Sequence, residues 1–136
     1  MDTRIRDRVL TAFAWAAVLS IAAPAAAAAQ ADSLPPGVTK EMVAKGKGVF
    51  LGAGLCLACH GQDGKGVIGP NLTDQTWLHI DGSYEAIIKQ ILSGVDASQS
   101  KTGQIMPPKG GSSISDADVK AVAAYVWTLS HKGKGK

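Results

Sequence analysis

The sequence predicts an all-α domain of three to five helices, and three observations support this class. Apolar residues recur at helical spacing in three segments, which follow Thr39, Ser83 and Ser115. No strand-rich pattern surrounds the two cysteines of the chain. Few aromatic residues follow residue 31, so a large apolar cofactor is expected to supply part of the core of so small a domain. These aromatic residues are Phe50, Trp77, Tyr84, Tyr125 and Trp127.

The first helix is predicted to begin after Thr39, a suitable N-cap residue, and it has Glu41 in its first turn. Val43, Gly46 and Phe50 then recur at the spacing of one helix face. Glycine inside a helix costs about 1 kcal/mol relative to alanine. We therefore expect Gly46 to have a packing role.

The middle helix is predicted to begin after Ser83 and to end at Gly94. Serine caps helix N-termini, and glycine commonly follows the last turn. The apolar face of this helix comprises Tyr84, Ile87, Ile88, Ile91 and Leu92. We expect this face to pack into the core.

The last helix has the clearest pattern of the three. Ser115 and Asp118 resemble a capping box with aspartate in the place of glutamate. The predicted apolar stripe that follows is formed by Val119, Val122, Ala123, Val126 and Leu129. The sequence therefore predicts an amphipathic helix near the C-terminus.

The N-terminal segment predicts export from the cytoplasm. Three arginines within the first eight residues precede an apolar stretch, and an A-x-A pattern follows at residues 29–31. An uncleaved membrane anchor is the alternative, although Pro24 and the weakly hydrophobic alanines disfavour a spanning helix. We expect residues 1–31 to be a secretory signal peptide. Residues 32–136 are then expected to form one periplasmic domain with a short Lys/Gly-rich tail.

The charge of the chain does not suit a protein that binds nucleic acid. The formal net charge is +3 at pH 7, and no arginine follows residue 31. The C-terminal "HKGKGK" is expected to be a solubilising end. Its alternative role is a weak, salt-screened attraction to an acidic partner or surface.

The two cysteines, Cys56 and Cys59, are three positions apart, and His60 follows them directly. A disulfide or thioredoxin-like redox pair is one alternative outside the cytoplasm, but the surrounding sequence lacks the expected α/β pattern. A structural zinc site would need a further pair of ligands, which the sequence lacks. C-x-x-C-H is the attachment signature of a c-type haem, with two thioether bonds and an adjacent imidazole ligand to iron. The motif therefore predicts one covalent haem c.

The chain between residues 39 and 130 resembles a small monohaem class I cytochrome c, similar to cytochrome c domains attached to haem-copper oxidases. The resemblance rests on "GKGVFLGAGLCLACHGQDGKG", "GPNLTD", "MPP" and "AAYVWTLS", in that order. It implies a cytochrome c fold, with the helices wrapped around one haem. It also implies that Gly46 and Phe50 let the first helix cross the last one closely, against Tyr125.

The sixth ligand of the iron is predicted to be Met106. Pro107 and Pro108 follow it and fix an extended backbone, so the thioether is presented from a stiff loop. The number of residues between His60 and Met106 favours Met106 as the ligand, and so does the resemblance. His79 is the rival, which would give bis-histidine ligation. Met42 is better explained by packing, and His131 is expected to lie in the tail.

Two further residues are assigned by the resemblance. The carbonyl of Pro70 is expected to accept a hydrogen bond from His60, which would fix the orientation of the imidazole. Trp77 is expected either to contact a haem propionate through its indole N–H or to pack against the haem.

These features predict an electron carrier rather than an enzyme, with redox proteins as partners and no small-molecule substrate. A dehydrogenase, an oxidase or another respiratory complex would suit the role, and peripheral association with a membrane is compatible with it. One alternative is a dedicated haem subunit of a dehydrogenase or terminal oxidase. Another is a haem peroxidase or gas sensor, which would need a labile sixth ligand. We find no distal acid–base residue that favours the latter.

Overall fold

The computed structural model describes residues 33–132, and its regular elements are helical. Residues 1–32 and 133–136 lie outside the described residues, as do the predicted signal peptide 1–31 and the end of the predicted tail. In the described part, strand pairing is limited to one antiparallel bridge, between Val95 and Met106. The all-α prediction is confirmed. The elements are α1 (Lys40–Leu51), α2 (Cys56–His60), α3 (Tyr84–Ser93), a 3-10 turn (Pro108–Gly111) and α4 (Asp116–His131).

The three predicted N-caps are confirmed. The side chains of Thr39 and Ser83 each accept a hydrogen bond from the backbone N–H three residues later. Ser115 and Asp118 form the reciprocal capping box. Asp118 also pairs with Lys45 of α1 at 2.7 Å. The Lys45 ammonium and the Ser115 hydroxyl lower the pKa of Asp118 to about 2.

Helices α1 and α4 cross in close contact, and Gly46 lies at the crossing. A Cβ atom added to Gly46 would overlap the carbonyl group of Ala121 on α4. One turn further on, Phe50 is fully buried and packs edge-to-face on Tyr125, with ring centroids 5.4 Å apart. The packing role that the sequence predicts for Gly46 is confirmed.

A Gly46→Ala substitution is expected to lower the free energy of unfolding of the holoprotein by about 2 kcal/mol or more, because overpacking at a fixed crossing forces backbone shifts. Gly48, on the same helix, provides the matched control, since a Cβ added there would meet nothing within 4 Å. Gly48→Ala should leave stability unchanged or raise it by up to about 1 kcal/mol. Guanidinium unfolding followed by circular dichroism measures both. Equal effects of the two substitutions would contradict the crossing.

Helix α3 packs on α4, and Tyr84 links the two through its hydroxyl, which donates to the backbone carbonyl of Lys120 at 3.1 Å. Ile87 and Ile91 of α3 are buried, yet they also line a large cavity at the centre of the domain. Part of the apolar core thus borders this cavity. Within residues 33–132, no helix has both the length and the apolar character needed to cross a membrane.

Candidate haem site

The central cavity lies between α2, α3, α4 and the loop that carries Met106. It holds about 1220 Å³, counted out to its open mouth. Most of the residues that line it are apolar. Among the described residues that line it there is no lysine, aspartate or glutamate. The cavity therefore suits a large and mostly apolar group.

The C-x-x-C-H motif forms the short helix α2 at one end of this cavity. Leu55, directly before it, has a left-handed backbone with φ of 56°, which is uncommon for a residue with a side chain. Cys56, Cys59 and His60 all line the cavity. Burial raises the pKa of Cys56 to about 11. A reactive redox thiol would need the opposite shift, so the thioredoxin-like alternative is disfavoured.

His60 is buried, and its Nδ1 lies 2.9 Å from the carbonyl oxygen of Pro70. The carbonyl can only accept, so Nδ1–H donates, and the lone pair of the neutral imidazole is on Nε2. Burial lowers the pKa of His60, which keeps the imidazole in the neutral form that binds metals. Gly69 lies against this ring, since a Cβ there would come within 2.9 Å of His60 Cε1. The Pro70 contact lies where the resemblance places it.

The backbone carbonyl of Cys59 holds the loop that follows the motif. It accepts hydrogen bonds from the amides of Val67, Ile68 and Gly69, at 3.0, 3.1 and 2.9 Å. The loop thereby turns back over α2 and brings Pro70 to His60. No sequence pattern signals this role, because any residue can supply a carbonyl. Glycines allow one stretch of backbone to approach another closely, and they are the nearest indication in the sequence of this turn. They are Gly61, Gly64, Gly66 and Gly69.

Met106 is partly buried and lines the same cavity as His60. Its carbonyl accepts from the amide of Val95 at 2.8 Å, and its amide donates to the carbonyl of Val95 at 3.0 Å. Pro107 continues in an extended conformation, with φ of −66° and ψ of 152°. The structure thus brings the two predicted iron ligands, 46 positions apart in the sequence, to one cavity.

Of the other candidates for the sixth ligand, Met42 and His131 do not line the cavity, and His79 lines it as an exposed residue. Met42 packs against the core and does not line the cavity. His131 is the last residue of α4 and stacks on Trp127 at 3.8 Å, so its predicted place in the tail is wrong. The helix continues to His131 because its ring packs on the residue four positions earlier and its Nδ1 hydrogen-bonds the carbonyl of Trp127. His79 lines the cavity, but it is exposed, and its Nε2 accepts from the amide of Lys101 at 3.1 Å.

Trp77 also lines the cavity and is partly buried. Its indole nitrogen lies against Gly82, where an added Cβ would overlap it. Gly82 has φ of 79°, so both the close approach and the backbone require glycine at this position. The structure therefore fixes the indole beside the cavity, and contact with a propionate stays a prediction.

A family model described as "Cytochrome C oxidase, cbb3-type, subunit III" matches residues 41–126. The chain belongs to this family of cytochrome c domains. Members of this cbb3-type cytochrome c domain family bind covalently attached haem c, and the chain carries a single such domain. The apolar cavity, the neutral imidazole of His60 and the two adjacent thiols fit this cofactor.

Three curated relatives illustrate the range of similar proteins. The cbb3-type cytochrome c oxidase subunit CcoP of Rubrivivax gelatinosus is 39% identical over 94 residues, which are 68% of this chain and 28% of the relative. The subunit FixP of Bradyrhizobium sp. (strain ORS 278) is 41% identical over 90 residues, 64% of this chain and 30% of the relative. Cytochrome c-554(548) of Halomonas halodenitrificans is 36% identical over 74 residues, 53% of this chain and 81% of that protein. The chain thus spans under a third of the length of these two oxidase subunits.

The fold is similar to that of a solved c-type cytochrome. Cytochrome cL from Methylophaga aminisulfidivorans aligns with a TM-score of 0.54 and 20% identity, covering 68% of this chain and 56% of that one. At this identity the likeness concerns the fold alone. The predicted cytochrome c fold is confirmed.

Proposed function

We propose that this cytochrome c domain is an exported monohaem electron carrier, which passes single electrons between periplasmic or membrane-bound redox partners. In this proposal Cys56 and Cys59 bond covalently to haem c. His60 and Met106 would ligate its iron. The observation that carries the proposal is the meeting of His60 and Met106 in one apolar cavity beside both thiols.

The chain's own groups prepare the site for this role. The carbonyl of Pro70 accepts a hydrogen bond from Nδ1–H of His60, which orients the ring and raises its basicity toward iron. Met106 is an uncharged thioether on a backbone held by Val95, and methionine ligation raises the reduction potential. Haem c supplies the one-electron redox chemistry when it is bound. The described residues that line the site include no lysine, arginine, aspartate or glutamate, and such apolar surroundings lower the local dielectric.

The mouth of the cavity offers an apolar surface for redox partners. Leu55, Ile68 and Ile105 line the cavity and are 52%, 57% and 63% exposed. Since no charged residue shares this lining, docking is expected to depend weakly on ionic strength. Electron-transfer encounters of this kind are small and transient. We propose this rim as the surface through which electrons enter and leave.

Oxidation of the reduced holoprotein by a purified cbb3-type oxidase, followed in a stopped-flow spectrometer, tests the proposal. The rate should rise with oxidase concentration and change little with added salt. Ile68→Lys should slow it roughly tenfold, the equivalent of about 1.4 kcal/mol of lost apolar contact. Leu92→Lys is the matched control, because Leu92 is exposed on α3 away from the cavity lining. A steep salt dependence, or equal effects of both lysines, would contradict the proposed docking surface.

A second candidate is a dedicated subunit of a cbb3-type oxidase or a dehydrogenase, and the family match favours it. Purification of the tagged holoprotein from detergent-solubilised native membranes separates the two. A free carrier elutes alone and still exchanges electrons. A constant stoichiometric partner with haem-copper or dehydrogenase activity would establish the subunit instead.

A further inference from the structure

The haem cavity continues into a second groove, which is polar. Both share a stretch of residues 77–80 together with Gln90 and Val95. None of the three C-x-x-C-H residues lines this groove. The polar groove therefore opens from a part of the cavity that the attachment motif does not reach.

Haem has its vinyl carbons on one half of the porphyrin and its propionates on the other. Thioether bonds to Cys56 and Cys59 would fix the vinyl half at α2. The propionates would then lie away from the motif, on the side where the polar groove brings charged groups next to the cavity. Within the described residues, these are Asp81, Asp96 and Lys101, besides the titratable His79.

The two carboxylates of the groove would repel a propionate, and one of them is already engaged. Asp81 accepts a hydrogen bond from the amide of Ser83 at 2.9 Å, and this bond lowers the pKa of Asp81. Asp81 therefore stays ionised and turned toward the start of α3. Gln90 and Ser93 are the groups that α3 contributes to the groove, and both are neutral. A propionate here needs a donor from the loops.

His79 is placed to be that donor, whereas Lys101 lines the groove but not the cavity. His79 lines both the cavity and the groove. Its Nε2 accepts the backbone N–H of Lys101 at 3.1 Å, a contact between two loops 22 positions apart. The neutral imidazole that accepts at Nε2 has its proton on Nδ1. The ring is therefore anchored at one nitrogen and presents an N–H at the other.

We propose that His79 is a haem-propionate-binding residue that donates a hydrogen bond from Nδ1 to a propionate carboxylate, rather than an iron ligand. This inference rests on the proposed haem attachment at Cys56 and Cys59. A hydrogen bond to the propionate partly offsets its negative charge. The propionate then stabilises ferric iron less, which favours the ferrous state. His79 thereby helps to hold the reduction potential up.

Redox titration and resonance Raman spectra of the holoprotein test this role. In His79→Ala, the ratio of reduced to oxidised protein at a fixed ambient potential should fall at least threefold, and the propionate bending band should move to lower frequency. His79→Asn places an amide N–H close to the former Nδ1 position and should restore most of both values. His131→Asn is the matched control, since His131 lies on α4 outside the cavity lining, and it should match the wild type.

Unchanged potential and propionate band in His79→Ala would overturn the inference, as would equal defects in His79→Ala and His79→Asn. Covalent haem and the far-red methionine band are recorded in every variant. If the wild type lacks covalent haem, the proposed function has failed. If all variants carry covalent haem and show the methionine band, the Raman and redox data test the role of His79 separately from the proposed function.

Discussion

The Met106→Ala variant is expected to retain its haem but to lose the weak far-red absorption band of methionine-ligated ferric haem. Its ratio of reduced to oxidised protein at a fixed ambient potential should fall at least tenfold, which is about 59 mV for one electron. The reason is that a soft, uncharged thioether stabilises ferrous iron, and water or hydroxide in its place does not. Visible spectra and redox titration of the purified holoprotein measure both effects.

Two controls make this result specific to Met106. Met42 packs against the core from α1 and lies outside the cavity lining, so Met42→Ala should keep the band. His79→Ala should keep it as well, since His79 is assigned to a propionate. A band that persists in Met106→Ala, or that disappears in His79→Ala, would contradict the ligand assignment.

Replacing both Cys56 and Cys59 with alanine is expected to abolish covalent haem attachment. Each single variant should retain one thioether bond and show a red-shifted haemochrome, because one vinyl group stays unsaturated. The double variant should also lose helical signal on removal of haem, since Phe50, Ile87 and Ile91 border the cavity that haem fills. Intact mass and pyridine haemochrome spectra check these outcomes.

Leu57→Ala is the matched control for the cysteine variants. Leu57 lies between the two cysteines, is 37% exposed and does not line the cavity. It should load haem like the wild type. Covalent haem in the double variant, or its loss in Leu57→Ala, would show that attachment does not depend on these thiols.

Local patterns in the sequence were sufficient to predict α1, α3 and α4 with their N-caps, but not the short helix α2 or the 3-10 turn. Thr39, Ser83 and Ser115 each act through an amide three positions away, so their role is visible within one helical turn. Gly46 was predictable for another reason: a glycine in a helix is costly unless another backbone approaches it. The family resemblance then named α4 as the partner.

Contacts between distant loops could not be predicted in the same way. The imidazole of His79 accepts from the backbone amide of Lys101, and Val95 pairs with Met106 through backbone groups alone. Such backbone groups are common to almost all residues, so the sequence does not mark them. The sequence therefore predicted Met106 as a ligand without showing what holds it. His79 is a rival ligand in the sequence because the contact that engages its Nε2 comes from an amide 22 positions away. No local pattern reveals that contact.

Peptide mapping of the purified holoprotein, produced in cells that attach haem c, tests the central claim most directly. Trypsin cleaves after Lys47 and Lys65, which leaves both thiols in the peptide of residues 48–65. Tandem mass spectrometry should find the mass of one haem on this peptide, bonded at Cys56 and Cys59. A peptide with only the mass of its amino acids would contradict covalent attachment and the electron-carrier account that depends on it.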